Sequence, residues 1–75
     1  MSSRAISVVG LGKLGLCLAV VLASKGFKVI GVDLDESKID KINRGESPIY
    51  EAGLQELLRK SAPNLIASTA VSIVA

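Results

Sequence analysis

The sequence predicts an α/β fold, part of a doubly wound parallel sheet, and three observations carry that expectation. Short β-branched runs alternate with helical patterns, the order that yields parallel strands joined by helical crossovers. The first run, at residues 5–9, leads into three closely spaced glycines, Gly10, Gly12 and Gly15. A later run, "KVIGVD" at 28–33, ends on an acidic residue, Asp33.

Each element has a local reason. Ile6, Val8 and Val9 make a short apolar run bounded by Gly10, which reads as a buried strand over 5–9. From Leu14 to Ser24 the residues Leu14, Leu18, Val21 and Leu22 recur at helical spacing, and Gly26 supplies a stop. Leu16, Val20 and Ala23 make the rest of that helix apolar too, so it is expected to be covered on more than one side. "KVIGVD" is the second buried strand. Asp35 is the natural N-cap for a helix over 36–43, with Ile39 and Ile42 inward and Gly45 just past its end. "ESPIY" at 46–50 reads as a loop. A third helix is expected over 52–61, with Leu54, Leu57 and Leu58 on one face, and a third strand over "NLIAS" at 64–68. The final "TAVSIVA" fits either a strand or the start of a helix. The resulting order, strand–helix–strand–helix–helix–strand, calls for a parallel sheet with right-handed crossovers and both faces covered.

Composition narrows the function. The 75 residues are 49% hydrophobic, enough for a core, although so short a chain buries a small share of its surface. Nine Lys/Arg against seven Asp/Glu leave a net charge of +2 with no run of either sign. No footprint for nucleic acid or an anionic membrane follows from that. One cysteine and no histidine exclude an internal disulfide and a cysteine-cluster metal site, so no metal is expected and a reducing, cytoplasmic compartment fits best. The apolar stretch from Leu14 to Ala23 is far short of the ~20 residues of a membrane span. The glycines and Lys13 interrupt any signal-peptide pattern. Cys17, three residues after Leu14 and four before Val21, falls on the packed side of its helix, where a thiol is inert.

The glycines have a chemical purpose in this context. Gly10 ends a strand in a tight turn, Gly12 lets a diphosphate approach the backbone, and Gly15 lets the helix pack closely on the strand. The free N–H groups of the first helical turn and the helix dipole favour an anion there. Asp33 lies 18 residues after Gly15, near the ~20 expected of the acid that takes the ribose hydroxyls of a bound dinucleotide. A carboxylate accepts hydrogen bonds from a 2′-hydroxyl and repels a 2′-phosphate, and Leu34 and Asp35 offer no arginine, so NAD is favoured over NADP. Two lysines, Lys13 and Lys38, occupy first turns of helices, where the dipole disfavours cations unless an anion is near. Lys38 is a candidate cofactor contact with a solvated surface residue as the alternative. Lys13 is grouped with the loop chiefly through its backbone.

On these residues the chain resembles the nucleotide-sugar 6-dehydrogenases over positions 5–61. The resemblance rests on "VVGLGKLGL", "GFKVIGVDLDESKI" and above all "INRGESPIYEAGLQELL", since Rossmann-type domains in general share the first two but not the third. It implies the first half of a Rossmann-type dinucleotide-binding domain over residues 1–75, with the rest of that domain and a substrate domain further along a longer chain. It implies NAD contacts from Gly10, Gly12, Lys13, Leu14 and Gly15, ribose contacts from Asp33, and a basic contact from Lys38. The implied reaction is oxidation of the C6 alcohol of a UDP-glucose-like nucleotide sugar to a carboxylate, with two NAD+, in a homo-oligomer. The family's catalytic cysteine, lysine and acid or amide residues fall beyond residue 75, and Cys17 matches none of them, so no catalytic residue is assigned here. The chain departs from the family at Lys13, usually Tyr, at Ala52, usually Pro, and at Ala70, where an acid is common. Other NAD enzymes with the same opening, of the hydroxyacyl-CoA or 6-phosphogluconate type, remain alternatives against which "PIYEAGL" argues. A non-catalytic NAD-sensing domain is a third reading. By itself the 75-residue chain is expected to be inactive, marginally stable and prone to associate through an open sheet edge.

Overall fold

A computed structural model describes residues 5–69, so the expectation for "TAVSIVA" lies, after Thr69, outside the described residues. The element order is β1 (Ile6–Val9), α1 (Lys13–Ser24), β2 (Val29–Val32), α2 (Glu36–Asn43), α3 (Leu54–Ser61) and β3 (Leu65–Ser68). The three strands form one parallel sheet in the order β1-β2-β3, with Val8, Gly31 and Ala67 in one row across it and Val9, Val32 and Ser68 in the next. The alternation of helix and strand along the chain is thus realised as the Rossmann-like half-sheet that the sequence predicts.

Both crossover helices stop in the same way. After α1, Gly26 takes φ +101°, so its N–H reaches the Ala23 carbonyl and that of Phe27 reaches Leu22. After α2, Gly45 takes φ +79°, and the N–H groups of Gly45 and Glu46 reach Ile42 and Lys41. These are paired bonds that only a left-handed residue sets up, and glycine adopts that conformation with no Cβ penalty.

One core lies between the sheet and its helices. Val8, Val29, Leu65 and Ala67 of the sheet pack with Leu16, Ala19, Val20 and Ala23 of α1, Ile39 and Ile42 of α2, and Leu54 and Leu58 of α3. Each fully buried Leu or Val contributes about 1.5–3 kcal/mol relative to exposure. α1 lies against all three strands, α2 packs on β3, and α3 runs along α1. All three helices therefore share one face of the sheet, and Val9 and Ile66 on the other face are exposed. Among the described residues, half a doubly wound sheet is present, with its helices on one side.

The structure separates α1 into two faces that its uniform apolarity concealed. Leu16, Ala19, Val20 and Ala23 are buried, whereas Leu14, Leu18 and Val21 are exposed. Cys17 sits between them, half-buried and packed against the core. α3 begins at Leu54 rather than Ala52, because Gly53 takes φ +79° at the N-cap and turns the chain into the helix. Residues 62–64, with Pro63, form a 3-10 turn, so β3 starts at Leu65. The outer edge of β3 is also less open than expected. Asn43, the last residue of α2, donates its amide to the Ala67 carbonyl at 2.9 Å and accepts from the Ala67 N–H at 3.0 Å. Its carboxamide thereby occupies the hydrogen-bonding groups that a further strand would need at that position.

Candidate cofactor-binding site

The site forms where β1 and β2 end, at the carboxyl edge of the sheet. Gly10 leaves β1 with φ +90° while its N–H still donates to the Val32 carbonyl at 2.7 Å. Leu11 then turns inward and is fully buried. Its methyl groups fill the space over Gly31, where a Cβ would lie 2.9 Å from them. The loop is therefore anchored on β2 through a glycine that sequence reading did not assign to the site.

Gly12 and Gly15 divide the remaining work. Gly12 is the N-cap of α1, in extended backbone, and a Cβ there would meet no atom within 4 Å. Open space lies over the helix end. Gly15 is the opposite case, because a Cβ would collide with the Gly10 carbonyl oxygen and crowd the Gly10 carbonyl carbon. Its bareness brings α1 onto the end of β1. The Leu16 N–H closes the first helical bond on the Gly12 carbonyl at 2.8 Å. The N–H groups of Lys13, Leu14 and Gly15 precede that bond and have no partner within the helix. No side chain caps α1, and its first turn carries no acid.

Asp33 joins this loop to the next. Its Oδ2 accepts from the Leu11 N–H at 2.8 Å and from Lys38 Nζ at 3.3 Å, and its Oδ1 accepts from the Asp35 N–H at 3.0 Å. The Asp35 and Leu11 N–H groups, with a smaller contribution from Lys38, hold its carboxyl below the ordinary aspartate value against the opposing effect of burial. Lys38 is mostly buried in this pair, with 22% of its side chain exposed, so the solvated-surface reading does not describe it. Lys13, by contrast, pairs with Glu51, 3.0 Å from Nζ to Oε2. Glu51 follows the "ESPIY" loop, which Gln55 of α3 holds by accepting from the Ser47 N–H and donating to the Gly45 carbonyl. A cleft of about 400 Å3 lies beside the carboxylate, lined by Val9, Gly10, Val32, Asp33 and Leu34.

The structure thus brings Gly10, Gly12, Gly15, Asp33 and Lys38 to one end of the sheet, and pairs the side chain of Lys13 with Glu51. It adds Leu11, Val9, Leu34 and Glu51, which no spacing rule singles out. Among the described residues no group of His, Cys, Asp or Glu is placed to hold a metal ion, and no helix is long and apolar enough to cross a membrane.

The residue set fits a dinucleotide: bare backbone at an uncapped helix start, room above it, and a charged acid beyond the next strand. Fold and loop together define a Rossmann-like NAD-binding domain. Residues 4–74 match the UDP-glucose/GDP-mannose dehydrogenase family, NAD binding domain, and the chain belongs to that family. It is 53% identical to GDP-mannose 6-dehydrogenase of Pseudomonas syringae pv. syringae over 55 residues, 73% of this chain and 13% of the relative. It is 46% identical to UDP-glucose 6-dehydrogenase of Bacillus subtilis over 56 residues, 75% of this chain and 13% of the relative. Among solved structures, a ternary complex of GDP-mannose dehydrogenase from Pseudomonas aeruginosa superposes with a TM-score of 0.88 at 42% identity, covering 92% of this chain and 16% of that one. The chain therefore spans only a small part of the length of these relatives. Membership decides for the nucleotide-sugar class over the hydroxyacyl-CoA and 6-phosphogluconate types.

Proposed function

We propose that this chain is the cofactor-binding portion of a cytoplasmic enzyme that oxidises the C6 alcohol of a nucleotide sugar to a carboxylate, using two NAD+. The observation that carries the reading is the Asp33–Leu11 hydrogen bond, which docks the ribose-binding acid directly onto the diphosphate-binding loop. The N–H groups at the start of α1 would receive the diphosphate at Gly12, Lys13 and Leu14, with Gly10 and Gly15 shaping the turn. Asp33 has one carboxylate position beyond its three present bonds with which to accept from a ribose hydroxyl. Lys38, already on Oδ2, would donate to the same sugar, and the cleft beside Val9 and Leu34 would take the adenosine.

NAD supplies hydride acceptance when bound; this chain's own residues bind and orient it. The alcohol, the catalytic groups and the sugar-nucleotide site belong, in this reading, to other parts of a homo-oligomeric protein, and the isolated chain is inactive. Relatives named for both GDP-mannose and UDP-glucose match these residues, so the choice of sugar nucleotide resides outside them.

The test is cofactor preference in the full-length protein. Wild type binds NAD+ more tightly than NADP+, and Asp33→Ala narrows that gap by about tenfold or more, the scale of a lost hydrogen bond to a charged group. Equal affinities in the wild type reject the ribose role of Asp33.

A further inference from the structure

We propose that Glu51 tunes the affinity for the cofactor's diphosphate by competing for Lys13. The proposal rests on the cofactor reading above and adds a residue outside the glycine loop. Lys13 is the first residue of α1, in a turn with no acid and no side-chain cap. A cation there is at the unfavourable end of the helix dipole unless an anion compensates. In this structure the anion is Glu51, 3.0 Å away, with side-chain exposures of 70% for Lys13 and 37% for Glu51.

So exposed a pair is weak. A diphosphate at the adjacent N–H groups brings two negative charges, and the four-carbon stem of Lys13 lets its ammonium turn towards them. Lys13 is thus held in reserve: paired with Glu51 when the loop is empty, free to add a charge contact when the diphosphate arrives. Binding then includes the cost of parting the pair. Glu51 is well placed for this task because the loop that delivers it is tied down by Gln55 and by the Ser47 hydroxyl, which donates to the Ile49 carbonyl at 2.6 Å.

The experiment measures NAD+, ADP and adenosine binding to the full-length protein by calorimetry at low and high salt. Glu51→Gln, which keeps shape and removes charge, tightens NAD+ and ADP binding by about two- to fivefold at low salt. The gain fades at 1 M salt, where screening reaches ~3 Å. Adenosine, which lacks the diphosphate, binds wild type and Glu51→Gln alike. Lys13→Ala weakens NAD+ binding by a similar factor and makes Glu51→Gln silent. The proposal is overturned if Glu51→Gln leaves NAD+ affinity unchanged, if the gain survives in the Lys13→Ala background, or if adenosine gains equally. Failure of the wild type to bind NAD+ at all rejects the cofactor reading itself, a distinct result.

Discussion

The starts of α1 and α2 stand at the same end of the sheet, each a few residues after a parallel strand, and they meet the same physical problem in opposite ways. α2 satisfies itself: Asp35 caps it by accepting from the Lys38 N–H at 3.2 Å, and Glu36 places an acid in its first turn. α1 has glycine at the cap, no side-chain acceptor, no acid, and a lysine as its first residue. Glycine at the cap in place of a side-chain acceptor costs only about a few tenths of a kcal/mol, so α1 leaves its end open at little expense in stability. The difference supports the proposed reading, in which the N–H groups at the start of α1 are completed by the cofactor's diphosphate rather than by a side chain. α2 closes its own end and is free to position Asp33 and Lys38.

The largest effect is expected where that comparison depends on close approach. Gly15→Ala places a methyl group against the Gly10 carbonyl oxygen, and backbone cannot yield as a side chain can. The loop must shift off β1, with a loss of stability at or above the ~1–3 kcal/mol of ordinary overpacking. Chemical denaturation of the full-length protein checks this, and an unchanged midpoint shows that α1 does not need Gly15 to reach the sheet.

The comparison can also be broken by giving α1 the solution used by α2. Gly12→Asp installs a capping carboxylate where a Cβ meets nothing within 4 Å. Stability is expected to stay level or rise by a few tenths of a kcal/mol. NAD+ affinity should fall by about a hundredfold or more, since the new carboxylate takes the N–H groups and repels the diphosphate, a change of ~2.7 kcal/mol. A folded variant that still binds NAD+ normally would mean that the open helix end is not the diphosphate site.

How far these differences were legible in the sequence depends on whether their cause is local. The glycine spacing, the Asp35 cap, the limits of α2 and the position of Asp33 all follow from short-range stereochemistry, and the structure has them as expected. The inward face of α1 was misread: Leu14, Leu18 and Val21, whose helical spacing marked the helix, are exposed, and Leu16, Ala19, Val20 and Ala23 face the core. A helix apolar on nearly every side offers more than one such stripe. The start of α3 was displaced because Gly53 turns left-handed, which leaves Ala52 outside the helix. Glu51 meets Lys13, and Asn43 meets Ala67, only through the tertiary fold. A charge or an amide at a helix end reads as an ordinary solvated residue. Gly31 reads as a weakness in a strand until Leu11 is seen to fill its place.

Asp33 makes the two helix starts one site, and its ionisation offers the finest test. One carboxylate receives the Leu11 N–H before α1 and the Asp35 N–H before α2. Those bonds, with Lys38, favour the charged form and lower its pKa in the folded state. A carboxyl with a depressed folded pKa contributes stability that is fully present above its unfolded pKa, about 3.9, and is lost as pH falls through the folded value. Asp33→Asn is therefore expected to be less stable than wild type at pH 7, because an amide cannot accept all three bonds. The gap should narrow below about pH 4 as the wild-type carboxyl takes up its proton. Urea unfolding of both proteins between pH 7 and pH 3 measures it. A gap that stays constant across that range would show that Asp33 holds the two loops by shape rather than by charge.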